Sequence, residues 1–458
     1  MIGREELAGL LRPFLPTQRW YGGADPPDTV TVRAVEVVCP PWPALVQVTA
    51  EVPSATGAGT DCYHVPLGVR PAGEPLPFLD GHPDALLGVV DTDAGKGQVY
   101  EALLDPELDV ALLATVVPGT EEPQHVRFLA GEQSNTSVVF DDRLILKVFR
   151  RPVAGENPDV EVPLALAAVD FPHVARPVAT WRRDDLDLAV VKEFLVGGSE
   201  GWSLALTSLR DLYAEHGNRP AEDARESATT EADPAAVGGD FAGEARRLGV
   251  TTGELHVALA DAFGRQPGDA GRWADDMDAQ LRRTPLPGDR RDALADLFAR
   301  LRWVDDSGPA IRVHGDYHLG QTMRTDAGWY VLDFEGEPLR PLEERRRPTS
   351  PLKDVAGMLR SLDYASAVAE REREEPVPEL ARAWAARNRQ AFLDGYLEVA
   401  AAAGLLPGDD ETVALVLRAF ELDKAVYEVA YEEAHRPEWA SIPLAAIDRH
   451  LADAVRSP

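Results

Sequence analysis

The sequence predicts an α+β protein with a β-rich N-terminal part and a mostly helical C-terminal part. Three observations carry this. Residues 29–67 are rich in Val and Thr and alternate loosely, broken by Pro and Gly. Residues 124–194 read as β-β-β-α-β-β, which is an α+β order rather than a doubly wound one. Beyond residue 240 the apolar residues recur at helical spacing, with one β-like island. With 458 residues, 45% of them hydrophobic, the chain has material for two to four structural units.

Residues 1–20 read as a short amphipathic helix ending at Pro16, followed by Gln18-Arg19-Trp20-Tyr21-Gly22-Gly23. Strands follow at 30–38 and 45–52, then a turn-rich connector at 75–80. Residues 100–117 read as helix then strand. His125–Leu129, Ser137–Phe140 and Leu144–Phe149 read as antiparallel strands, 157–169 as a helix, and 172–179 and 188–194 as strands. The polar, Ala- and Pro-rich segment 215–240 reads as a mobile loop. Leu248, Leu255, Leu259 and Phe263 share a helix face, and 292–304, 352–370, 378–402 and 410–435 read as further helices. The β-like island is Ile311-Arg312-Val313 with residues 329–333.

The formal charge of −31 argues against nonspecific nucleic-acid binding and against an anionic membrane surface, both of which need clustered Lys and Arg. No run approaches 18 apolar residues, and the first residues lack signal-peptide order, so a soluble cytoplasmic protein is expected. Cys39 and Cys62 make neither a disulfide framework nor a zinc site. The basic residues are 41 Arg and five Lys: Lys96, Lys147, Lys192, Lys353 and Lys424. In a chain that uses Arg by default, each Lys invites the question of what a guanidinium could not do there. Codon bias is the plain answer unless a motif says otherwise.

The island carries the richest chemistry: His314-Gly315-Asp316-Tyr317-His318-Leu319-Gly320-Gln321, then Asp333-Phe334-Glu335-Gly336. Phosphoryl transfer to a hydroxyl needs a carboxylate near the nucleophile, oxygen ligands for Mg²⁺ and a cation on the nucleotide phosphates. Asp316 stands five residues before Gln321, the spacing of base and metal-binding amide in a kinase catalytic loop. Asp333 ends an apolar strand and precedes Phe, as a kinase metal-binding Asp does. A strand–turn–strand hairpin would bring Asp316, Gln321 and Asp333 to one mouth. Taken singly, Asp316 is equally a turn cap. His314 reads as structural rather than as half of a metal site.

Lys147 lies inside the apolar run Leu144-Ile145-Leu146-Lys147-Val148-Phe149, where an unpaired ammonium is costly. Glu161, at the start of the next helix, is its expected partner, with Asp159 the alternative. Ser134, Asn135 and Thr136, in the turn from Gly131 to Ser137, offer backbone N–H groups to phosphates. Glu193 and Leu195 lie where a hinge would present backbone groups to adenine, although a plain strand end reads equally well. Arg345-Arg346-Arg347 reads as a solvated or capping run rather than a phosphate patch.

The order Lys147, Glu161, Asp316, Gln321, Asp333 resembles the aminoglycoside-phosphotransferase branch of the kinase-like superfamily. More specifically, the chain is similar to the actinobacterial maltokinases. The segments that carry the likeness are 131–137, 157–161, 314–321 and 333–338, with 354–361 (Asp354-Val355-Ala356-Gly357) and 421–428 (Glu421-Leu422-Asp423-Lys424), and Gln18-Arg19-Trp20-Tyr21-Gly22 near the start. Two departures are mild: no Lys follows the glycines of the N-terminal motif, and the 215–240 insert is long and acidic.

The resemblance implies a bilobal eukaryotic-protein-kinase-like fold. Its parts would be an N-terminal cap over 1–90, a β-rich ATP lobe over 91–200 and a helical acceptor lobe over 201–458. It implies ATP- and Mg²⁺-dependent transfer to the anomeric hydroxyl of maltose, for α-glucan synthesis. Asp316 would be the catalytic base, Gln321 and Asp333 the Mg²⁺ ligands, and Lys147 the phosphate anchor. Acceptor candidates are His318, Glu421, Lys424, Tyr427, Glu428 and Trp439, of which Glu421, Lys424 and Glu428 share one helix face. Two alternatives stand beside this: a same-fold kinase for glucosamine, another sugar or an aminoglycoside, and an inactive scaffold partnering a trehalose synthase.

Overall fold

The structure is a computed structural model. It describes residues 2–23, 25–40, 42–54, 59–129, 134–217, 240–337, 340–373 and 375–456. The chain divides into two compact units, residues 1–164 with 175–196, and residues 165–174 with 197–458.

Unit 1 begins with helix α1 (Arg4–Phe14). Glu5 and Glu6 lie in its first turn and Arg12 in its last, matching the helix dipole. Leu7, Leu11 and Phe14 recur on one face and are buried, each worth about 1.5–3 kcal/mol of transfer free energy. Strands β1 (Thr31–Cys39), β2 (Ala44–Pro53), β3 (Thr60–Pro71), β4 (Leu86–Thr92) and β5 (Gly95–Glu101) form an antiparallel sheet in the order β1-β2-β3-β5-β4. Helix α2 (Pro106–Val116) follows, with Asp105 as its N-cap accepting from the Glu107 N–H and proline at the first turn. Residues 100–117 are therefore strand end then helix, not helix then strand. The capping Asp and Pro106 outweigh the β-branched end of the segment. The first sheet closes at Glu101, so a boundary at residue 90 would cut the β4–β5 hairpin.

A second antiparallel sheet holds β6 (Val126–Leu129), β7 (Asn135–Phe140), β8 (Leu144–Phe149), β9 (Pro177–Arg183) and β10 (Leu186–Glu193), in the order β6-β7-β8-β10-β9. Helix α3 (Pro158–Ala168) lies between β8 and β9 in the chain. Leu45 and Tyr100 of the first sheet share a core with Leu108, Leu112 and Leu113 of α2 and with Val138, Leu146 and Val191 of the second. A buried polar joint also links the sheets. Arg150, 1% exposed, forks onto Glu101 at 2.8 and 3.2 Å, donates to Thr136 Oγ1 at 2.8 Å, and lies over the Trp20 ring.

Unit 2 contains β11 (Ser199–Glu200), α4 (Gly201–Gly217), α5 (Ala242–Phe263), β12 (Gln266–Pro267), α6 (Ala270–Arg283), α7 (Gly288–Leu301) and β13 (Pro309–Ala310). Then come β14 (Thr322–Thr325), β15 (Gly328–Val331), α8 (Leu342–Arg345), α9 (Leu352–Arg371), α10 (Pro378–Ala402), α11 (Asp410–His435) and α12 (Ser441–Arg456). Helix α4 was not foreseen, and the segment read as a loop from 215 lies mostly outside the described residues. Helices α5 and α10 pack backbone to backbone: a Cβ on Gly249 would collide with the Phe392 carbonyl, and one on Gly395 with the Arg246 carbonyl. Among the described residues, no helix is long and apolar enough to cross a membrane.

The Arg150 joint yields a test. Arg150→Met leaves Glu101 buried and unpaired, so unit 1 should lose about 3–5 kcal/mol, whereas the double change Arg150→Met with Glu101→Leu should recover much of it. Urea denaturation of the full chain followed by tryptophan fluorescence measures both.

Candidate functional site

In unit 2 the hairpin β14–β15 pairs Thr322 with Val331, and the Leu332 N–H donates to the Gln321 carbonyl at 2.9 Å. This sets Gln321 opposite Leu332, and so next to the residue before Asp333, at the open end of the hairpin. The amide oxygen of Gln321 and the carboxylate of Asp333 are the hard donors that Mg²⁺ takes. Asp333 has φ +55°, a left-handed conformation that Asp tolerates better than most residues.

The loop before β14 is held from behind. Asp354, fully buried on α9, accepts from the His314 N–H at 2.7 Å, the Gly315 N–H at 2.9 Å and His256 Nε2 at 3.1 Å. Burial alone would raise this carboxyl, but the His256 hydrogen bond and charge outweigh it and hold it low. Gly315 takes φ +87° at the bend. His314 Nε2 donates to the Leu332 carbonyl at 2.8 Å, and its Nδ1 accepts from the Asp316 N–H at 3.3 Å. His314 is thus a brace between the loop and the hairpin. Helix α9 also approaches through Gly357, where a Cβ would stand 2.5 Å from the Tyr317 carbonyl oxygen.

Asp316 Oδ1 receives Lys424 Nζ at 2.9 Å, and the same ammonium reaches Glu337 Oε1 at 3.0 Å. Burial would raise the Asp316 carboxyl, yet Lys424 and then His318 outweigh it and keep it below its ordinary value. Burial would lower Lys424, but Asp316 and Glu337 hold its pKa well above that of a free lysine. His318 is pushed down, first by burial, and its Nδ1 accepts from the Gly320 N–H at 3.1 Å, which leaves Nε2 to donate. Lys424 lies 4.8 Å from the Tyr427 ring centroid, and Tyr427, Tyr431 and His435 stack along α11.

In unit 1, Lys147 Nζ lies 3.0 Å from Asp159 Oδ2, and Lys192 Nζ 2.8 Å from Asp159 Oδ1. Asp159 is fully buried; the two ammonium groups overcome that burial and depress its pKa. Asp159, the alternative to Glu161, is thus paired with Lys147; Glu161 is half-buried two residues further along α3.

Residues 14–105 match the maltokinase N-terminal cap domain. A glucosamine kinase of Streptacidiphilus jiangxiensis is 30% identical over 355 residues, covering 73% of this chain and 75% of that protein. The chain belongs to its family of kinase-fold sugar kinases. A second member, a glucosamine kinase of Mycolicibacterium smegmatis, is 28% identical over 69% of this chain and 77% of its own. The family fold is seen in a solved glucosamine kinase, TM-score 0.67 at 24% identity, covering 93% of this chain and 94% of that one. It is seen again in a glucosamine kinase in complex with glucosamine, ADP and inorganic phosphate, TM-score 0.64 at 23% identity, covering 94% of both chains.

Other candidates of this sugar-kinase chain are placed differently. Glu421 and Glu428 are each paired with an arginine. Arg389 holds Glu421 at 2.7 Å and Arg360 holds Glu428 at 2.6 Å, both inside the helical packing. Trp439 stacks on Tyr364 and lies beneath Arg436 and Arg371. Asn135 Nδ2 donates to Ser134 Oγ at 3.2 Å, and the Thr136 hydroxyl is spent on Arg150. Residues 130–133 of that turn, and Pro338, lie outside the described residues. The N–H groups of Glu193 and Phe194 donate to the Arg176 and Arg143 carbonyls, while Leu195 is half-buried beyond them.

Glu337, Asp354 and Lys192 were given no role by the sequence. Lys192 could have been found from the scarcity of lysine, but nothing local marks Asp354, whose partners lie 39 and 40 residues away. Asp354→Asn replaces one acceptor oxygen with a donor facing backbone N–H groups. It should cost about 2–3 kcal/mol, read as a lower urea midpoint.

Proposed function

We propose that the chain is an ATP-dependent maltose kinase that transfers the γ-phosphoryl group to the anomeric hydroxyl. The product, maltose 1-phosphate, would feed α-glucan (glycogen) synthesis. The observation that carries this reading is the Lys424–Asp316 pair at 2.9 Å in a loop pinned by Asp354. The ammonium keeps Asp316 ionised and occupies Oδ1, leaving Oδ2 to accept the proton of an acceptor hydroxyl. Lys424 also offers positive charge where the transferring phosphoryl group meets the base.

Gln321 and Asp333 fit Mg²⁺ by donor type and by their place at one end of the hairpin, and would be its ligands. The ion would supply charge neutralisation on the phosphates. Lys147 and Lys192, fixed by Asp159, would give unit 1 its contact with the nucleotide phosphates. The stacked rings of Tyr427, Tyr431 and His435 offer faces to a sugar, and His318 offers a donor to a hydroxyl.

Maltose is preferred over an amino sugar because Glu421 and Glu428 are both neutralised by guanidinium groups, leaving neither for a substrate ammonium. The cap match supports the same choice. Glucosamine is the second reading, favoured by the names of the two relatives. ATP-dependent assays with maltose, glucose, glucosamine and an aminoglycoside decide between them. Maltose should show the highest kcat/KM, and failure to phosphorylate it sinks the maltose reading.

Two variants test the chemistry. Asp316→Asn should lower kcat by about 10²–10⁴-fold with the fold intact. In Lys424→Met, the largest opposition to burial of Asp316 is gone, so its pKa rises. The base is active only when deprotonated, so the acid limb of the kcat/KM profile should move to higher pH. An unmoved limb would separate Lys424 from the base.

A further inference from the structure

A cleft in unit 2 is lined by Arg272, Arg345, Arg347 and Lys353, with Gly315 and Gly336 in its wall; Asp316 and Asp333 are not among the described residues that line it. Its cations have donors to spare. Arg272 donates one Nη2 hydrogen bond to the Pro348 carbonyl at 3.0 Å, and Arg345 donates Nη1 to the Glu335 carbonyl at 2.9 Å. The Nε of each is buried and has no hydrogen-bond partner. Lys353, half-buried in the first turn of α9, has no side-chain hydrogen bond or ion pair within 4 Å among the described residues.

The acids of the same wall are already engaged. Glu337 serves Lys424 and Arg340, Asp423 accepts from Gln280 and is pushed up to about 6 by burial, and Asp276 lies 3.8 Å from Arg347. Only the exposed Glu344 remains. Buried donors without acceptors are uncommon in folded proteins and ask for a missing partner. Guanidinium forks, an ammonium and the N-terminal turn of a 20-residue helix together suit a phosphate oxyanion.

We propose that this cleft is an anion site, for a phosphate monoester or inorganic phosphate, whose lining includes neither Asp316 nor Lys424 and which does not depend on the kinase reading. Arg345 also holds the Glu335 carbonyl, within the turn that carries Asp333. An occupant drawn to Arg345 would therefore be felt at the metal-binding segment, as a bound product or free phosphate could regulate turnover.

Calorimetric titration of the full chain with inorganic phosphate and, separately, with maltose 1-phosphate tests it. At least one should bind, and the double variant Arg272→Gln with Lys353→Met should weaken that binding at least tenfold. Lys147→Met, in the other unit, should leave it within twofold. Whichever probe binds more tightly names the source. The site is refuted if neither probe binds, if the double variant binds as the wild type does, or if Lys147→Met removes the binding. Should the double variant unfold early, Arg272→Gln alone must still weaken binding at least threefold. This outcome is distinct from that of the kinase assay, because it is read without ATP or acceptor.

Discussion

The candidate site depends on one buried carboxylate. Asp354 takes the two consecutive backbone N–H groups of His314 and Gly315 and an imidazole nitrogen of His256. Backbone donors fixed in this way leave the loop only one path past α9, and Gly357 lets that path run against the helix without a side chain between them. Asp316 is presented at the end of that path, where Lys424 meets it. Asp316 and the hairpin with Gln321 and Asp333 are thus positioned by hydrogen bonds to main-chain atoms. A loop held by its backbone can expose reactive side chains without spending them on structure.

Charge is used locally throughout. A chain at −31 gains nothing from long-range attraction of a polyanion, so each positive site must be built at close quarters. Three of the five lysines do this inside carboxylate pairs: Lys147 and Lys192 on Asp159, and Lys424 between Asp316 and Glu337. For Lys424, its two carboxylates outweigh burial and hold its pKa well above that of a free lysine. Lys96, in an exposed pair with Asp91, shows none of this, and nothing in the structure explains why it is lysine.

Much of the fold could be read from local signals. The β-β-β-α-β-β order, helix α10 and the hairpin that carries Gln321 and Asp333 at one end all follow from short-range alternation and period. Residues 100–117 were read in the wrong order because apolar composition spoke louder than the Asp105–Pro106 cap. For the site, residue type and spacing were enough to single out Asp316, Gln321, Asp333 and the unusual lysines. Partner choice was not legible. Asp159 and Glu161 are equally plausible on a helix start, and only the placement of Lys192 on the neighbouring strand shows why Asp159 bridges two ammonium groups. Likewise, helical spacing put Glu421 and Glu428 on the face of Lys424, while the arginines that consume them come from α10 and α9.

The glycine crossing of α5 and α10 has an evolutionary consequence. Where two helices meet main chain to main chain, neither can roll or slide without driving a carbonyl into its neighbour, and no side chain is there to be exchanged for a smaller one. That pair is a frame closed to gradual remodelling. Any change of function in such a lobe must therefore be made by exchanging side chains elsewhere, on a fixed scaffold.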